Sequence, residues 1–203
     1  MKPSAPFGTA MLFLLALAGC NAMPSHDPSS NELPPSKPGY SNQVDHWPLV
    51  FNAHWFDAFT YSTYGCTVRY GPYSIKDPED RLQAASPVPG TGHGYPETMR
   101  GGWGPIPNFP PRAVVDWRSA DGSPHHAEID IGEIFKDQLI RHNVPRDEVG
   151  KTYDPQPEIM LEVNDRTINV YMRATIYTRH EQIPGNKYSR MRDDLIKVFS
   201  RAY

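Results

Sequence analysis

The stretch "RAVVDWRSADGSPHHAEIDI", residues 112–131, decides the fold class of this chain. Before the Asp121-Gly122 pair, Val115 and Trp117 fall on one side of an extended segment, with Val114 and Asp116 on the other. After it, His126, Glu128 and Asp130 alternate with Ala127, Ile129 and Ile131. An Asp-Gly pair between two alternating runs marks a hairpin, because a tight turn needs left-handed backbone that glycine adopts without steric cost. The period of two predicts antiparallel strands with one wet side.

The same reasoning extends in both directions. "EIMLEV" (158–163) and "TINVYMRATIYT" (167–178) flank Asn164-Asp165 and predict a second hairpin. In it, Ile168, Val170 and Met172 share a face opposed by Asn169, Tyr171 and Arg173. "CTVRY" (66–70) reads as a further strand, and its Cys66, set between aromatic and β-branched residues, as an inert core thiol or, in the sharper reading, a catalytic nucleophile, though no motif beside it would activate a thiolate. Two segments carry helical spacing. Residues 131–143 place Ile134, Phe135, Gln138, Leu139 and His142 on a stripe that Pro145 ends, with Glu133 suited to the first turn. Near the C-terminus, Met191, Leu195, Val198, Phe199 and Ala202 recur as on an amphipathic helix. The expected fold class is α+β: a mostly antiparallel β-sheet with one or two short packing helices.

The N-terminus follows different rules. Lys2, an apolar run ending at Leu17, and the small residues Ala18-Gly19 have the order of a secretory signal. Phe7 to Leu17 is too short, at about 1.5 Å per residue, to span roughly 30 Å of hydrocarbon. Leu17-Ala18-Gly19-Cys20 is similar to a bacterial lipobox, which implies cleavage before Cys20 and its lipidation. Residues 20–39 are rich in Pro and Ser and read as a tether, leaving residues 40–203 as a single globular domain. With Cys20 acylated, Cys66 is the remaining one of two cysteines, so the fold needs no disulfide. The formal net charge is −3, and removal of residues 1–19 subtracts only Lys2 among charged side chains. No nucleic-acid partner is expected.

Residues 86–111, "SPVPGTGHGYPETMRGGWGPIPNFPP", hold seven prolines and six glycines in 26 positions. Connections of that length are commonly binding loops. Tyr95, Arg100, Trp103 and Phe109 supply the aromatic and guanidinium groups that dominate protein interfaces, and these four are the candidate partner-binding residues. Trp103 and Phe109 serve either as core plugs or as exposed anchors.

Chemistry is weakly signalled. His126, Glu128 and Asp130 share a strand face, but no metal-ligand spacing such as His-Glu-x-x-His accompanies them. His54 and Asp57 in "NAHWFDAF" suggest a base and its orienter, yet no Gly-x-Ser-x-Gly elbow accompanies them. His46, His93, His142 and His180 are weaker candidates. No catalytic set, metal site or cofactor is expected.

Taken together, the lipobox, the tether, the "PRAVVDWRSADGSPHHAEIDIGEIF" hairpin and the "INVYMRATIY" strand resemble small lipoproteins of Gram-negative bacteria. Such proteins occur beside type VI secretion effectors, especially phospholipases, and act as their immunity proteins. The resemblance covers roughly residues 45–203 in layout. It implies a non-enzymatic protein in the periplasm, lipid-anchored through Cys20, with Asn21 favouring the outer membrane, and a protein toxin as partner. Two other classes stay open: a structural or accessory envelope lipoprotein, and a periplasmic hydrolase or metal-binding protein using the His126 face or the His54 and Asp57 pair.

Overall fold

The computed structural model describes residues 43–91 and 94–203. The signal segment, Cys20, the tether and His93 lie outside the described residues. The described chain contains twelve strands and one helical turn. A five-stranded sheet has the order β12 (Leu195–Ala202), β9 (Thr167–Arg173), β8 (Glu158–Asn164), β1 (Ala53–Tyr61), β4 (Trp103–Pro107); a four-stranded sheet has the order β3 (Tyr73–Lys76), β2 (Thr63–Tyr70), β5 (Ala113–Ser119), β6 (Pro124–Ile129); and a three-stranded sheet has the order β11 (Met191–Arg192), β10 (Ile176–Thr178), β7 (Val149–Tyr153).

Both expected hairpins form. β5 (Ala113–Ser119) pairs antiparallel with β6 (Pro124–Ile129), Val115 opposite Ala127. β8 (Glu158–Asn164) pairs antiparallel with β9 (Thr167–Arg173), Leu161 opposite Val170. The turns supply the backbone expected of them, with φ 85° at Gly122 and 51° at Asp165. β5 also pairs with β2 (Thr63–Tyr70), and β2 with β3 (Tyr73–Lys76). β1 (Ala53–Tyr61) runs parallel to β8 from Trp55 opposite Glu158 to Tyr61 opposite Asn164. On its other edge β1 carries the antiparallel β4 (Trp103–Pro107). The remaining sheet joins β10 (Ile176–Thr178) to β7 (Val149–Tyr153) and β11 (Met191–Arg192).

One apolar core serves these sheets. Phe56, Leu161, Val170 and Met172 of the five-stranded sheet share it with Cys66, Val68, Val115 and Trp117 of the four-stranded one. The indole N–H of Trp117 donates to the Asp165 carbonyl at 2.7 Å, and the Ala120 N–H donates to the Asp165 carboxylate at 2.8 Å. The two hairpin turns are thereby docked on each other. Cys66 is fully buried, and that burial pushes its thiol up to about 12.

Three expectations are corrected. Residues 195–202 form an edge strand, β12 (Leu195–Ala202), antiparallel to β9. Its register shifts between Lys197 and Phe199, and Val198 and Phe199 both pack against the main core. A β-bulge puts consecutive residues on one side, so its apolar spacing imitates a helical stripe. Residues 131–143 form one helical turn, α1 (Ile131–Ile134), whose N-cap Asp130 accepts from the Glu133 N–H at 2.9 Å. Beyond it, Phe51 N–H donates to the Gln138 carbonyl and Ile140 N–H to the Leu49 carbonyl. Cross-strand bonds there replace the i to i−4 ladder, a tertiary contest that intrinsic helix propensity loses. Finally, β9 has no wet side: Asn169, Tyr171 and Arg173 are buried along with Ile168, Val170 and Met172.

Candidate functional site

The second face of the five-stranded sheet is covered by the long connection. Tyr95 and Met99 pack with Met160 and Tyr171 in a separate apolar cluster, flanked by Phe59, Tyr61 and Leu195. Within it Glu162 is fully buried. Its carboxylate accepts from the Tyr171 hydroxyl at 3.0 Å, the Asn169 amide at 2.7 Å and the Tyr95 hydroxyl. Burial, with the adjacent Glu162 charge, pushes the Tyr95 hydroxyl up to about 12, so it stays a donor. A buried carboxylate needs such donors in place of water. Nearby, the buried Arg173 guanidinium donates to the carbonyls of Glu97 and Asp193. The long connection is thus nailed to the sheet through Tyr95, Glu97 and Met99.

Beyond Met99 the chain reaches the surface. Gly101 crosses β1 so closely that a Cβ there would lie 3.2 Å from the Trp55 carbonyl carbon, and its N–H donates to the Glu158 carboxylate at 2.8 Å. Gly104 (φ 145°) presses β4 against β1, where a Cβ would lie 3.0 Å from the His54 carbonyl oxygen. Between these glycines stands Trp103, 40% exposed, edge-on to the Tyr73 ring at 6.1 Å. Tyr73 is itself fixed, donating its hydroxyl proton to Asp57 at 2.6 Å. Arg100 lies 2.8 Å from the Asp193 carboxylate and 3.9 Å from that of Glu158 on β8. Exposed ion pairs contribute roughly 0–1 kcal/mol, so these aim the guanidinium more than they stabilise the fold.

The four candidate interface residues therefore divide. Arg100 and Trp103 both reach solvent, Trp103 from the edge strand β4 and Arg100 from the connection that precedes it. Tyr95 is 8% exposed and belongs to the Glu162 cluster. Phe109 is half-buried against the main core, its ring edge-on to Phe51 at 5.9 Å.

The other candidates have ordinary partners. The His54 ring is fully buried, Nδ1 lying 2.8 Å from Asn108 Oδ1, between Tyr70 and Phe109. Burial lowers its pKa to about 4. Asp57 bonds Tyr73 instead, so the two do not form a base and orienter. On β6, His126 lies 2.7 Å from Asp116, while Arg112 pairs with Glu128 and Asp130 at 3.4 and 3.1 Å. Among the described residues, no three His, Cys, Asp or Glu side chains converge as a metal site. Sequence reasoning missed Glu162 and its donors, because Asn169, Tyr171 and Arg173 read as a solvated face. The available signal was a glutamate facing Asn169 across the predicted hairpin, with Tyr171 two positions on.

Comparison of the chain with protein-family models, with curated proteins and with solved structures returns no match.

Proposed function

We propose that this chain is a lipid-anchored periplasmic protein, held at the outer-membrane surface by Cys20, that binds and inhibits a type VI secretion phospholipase effector. The observation that carries a protein-binding role is Trp103, an exposed indole on an edge strand, backed by the fixed ring of Tyr73. Large side chains held before contact lose little freedom on binding, which is what a hot spot requires. The lipobox at 17–20 and the tether supply location, and the family resemblance supplies the class of toxin. An enzyme that attacks phospholipid from the periplasm is met at the membrane it would damage. Neutralising it at low copy number calls for nanomolar association, about 12 kcal/mol. Seating Trp103 over the substrate entrance would block the enzyme without chemistry by the inhibitor.

The test is a pull-down from periplasmic extract with residues 21–203 as bait, then mass spectrometry. Retention of one lipase near one-to-one, inactive in the complex, supports the reading. Retention of envelope assembly components, or of nothing from an extract shown to contain the effector, overturns it in favour of an accessory envelope protein.

A further inference from the structure

A cleft of about 400 Å3 lies where the chain enters the described domain. Gln43 bridges to Thr152, and Val44 N–H donates to the Lys151 carbonyl at 2.9 Å, which fastens the entering chain to β7. Arg146, Lys151 and Arg179 line the cleft with Trp47. The Arg146 guanidinium sits 5.7 Å from the centroid of the Trp47 ring, and Arg179 Nε donates to the Val149 carbonyl at 3.0 Å. These contacts position two guanidinium groups without neutralising them. No ion pair joins any of the three cations to a carboxylate among the described residues; Glu148 pairs with His180, and Asp45 lines the same cleft.

We propose that this cleft binds the phosphate of an anionic phospholipid headgroup. Three cations that form no ion pair with a carboxylate among the described residues, around a cavity of that size, suit a phosphodiester, which accepts several charge-assisted bonds at once. Trp47, 36% exposed at the rim, has the amphipathic ring that settles at the level of headgroups. Gln43, where the described chain begins, lines this cleft, 23 positions after Cys20. The inference goes beyond toxin inhibition and shares with it only the anchor, which the test removes.

The experiment is co-sedimentation of residues 20–203 carrying Cys20→Ser, which keeps every described element, with vesicles of phosphatidylglycerol or of phosphatidylcholine. The expected result is retention by phosphatidylglycerol alone. One basic residue near an anionic surface is worth about fivefold in binding, so Arg146→Gln/Lys151→Gln/Arg179→Gln should weaken retention on the order of 100-fold. A control triple, Arg69→Gln/Lys76→Gln/Lys187→Gln, makes the same charge change away from the cleft and should lose much less. Equal loss in both triples, or equal retention on both vesicles, overturns the site. Binding of inorganic phosphate in the cleft without vesicle retention overturns the headgroup assignment and points to a soluble phosphate ligand.

Discussion

The hydroxyl of Tyr95 donates to the carboxylate of Glu162, joining the proline- and glycine-rich connection to a strand 67 positions away. Both groups are buried, so this bond adds to the apolar contacts of Tyr95 and Met99 in holding the connection down. Removing one donor leaves a charged acceptor short of a partner in a dry site, which costs more than the bond itself contributes. Tyr95→Phe is expected to destabilise the protein by about 1–3 kcal/mol in urea unfolding. Hydrogen exchange should rise first in residues 94–101, and an unchanged exchange pattern there would show that the connection is held by packing alone.

Trp103 is expected to behave in the opposite way. Its ring is partly solvated, and Trp103→Ala should change stability by less than about 1 kcal/mol while weakening partner binding by at least about 2 kcal/mol. Titration calorimetry with the captured partner, beside a thermal melt of the free protein, separates the two effects. Unchanged affinity with unchanged folding removes Trp103 from the interface.

His54 sets a pH dependence whose sign is fixed. Its pKa falls from 6.5 in the unfolded chain to about 4 in the fold, so between those values the unfolded state binds more protons. Its favourable neutral form is fully present above about pH 6.5, and stability is lost as pH falls toward 4, by on the order of 3 kcal/mol. His54→Gln keeps a neutral side chain facing Asn108 and should flatten that part of the decline. Denaturant midpoints at pH 7, 5 and 4 measure it; parallel curves for the two proteins would exclude His54 as the titrating group.

Docking of the two turns through Trp117 has its own test. Trp117→Phe keeps most of the apolar ring but strips the donor from the Asp165 carbonyl, an expected loss of about 1–2 kcal/mol. Trp117→Ala adds a core cavity and should cost about 3–5 kcal/mol. If the two variants unfold at the same denaturant concentration, ring packing against His125 and Tyr203 contributes little.

Cys66 should be silent toward a thiol reagent in the native protein and react fully in denaturant, since only the exposed thiolate is nucleophilic. Fast native labelling would contradict its burial.

Local chemistry determined the two hairpins of this protein. Asp121-Gly122 and Asn164-Asp165 each sit between alternating runs, and pairing across a tight turn needs no information from elsewhere in the chain. The inward residues Val115, Trp117, Ile168, Val170 and Met172 follow from the same period. The candidate anchors Arg100 and Trp103 were legible as residue types, but only the fold separated them from Tyr95 and Phe109, which it draws inward. Tertiary structure also decided the parallel pairing of β1 with β8, which joins segments as distant as Trp55 and Glu158 and which no turn encodes. It turned residues 195–202 into a strand, because the open edge of β9 offered hydrogen bonds and a bulge let Val198 and Phe199 both reach the core. It made the polar face of β9 an interior, because Tyr95 and Met99 lie down on it and Glu162 gathers the donors there. Sequence period reports which residues share a side of an element; what covers that side depends on chain that arrives from far away.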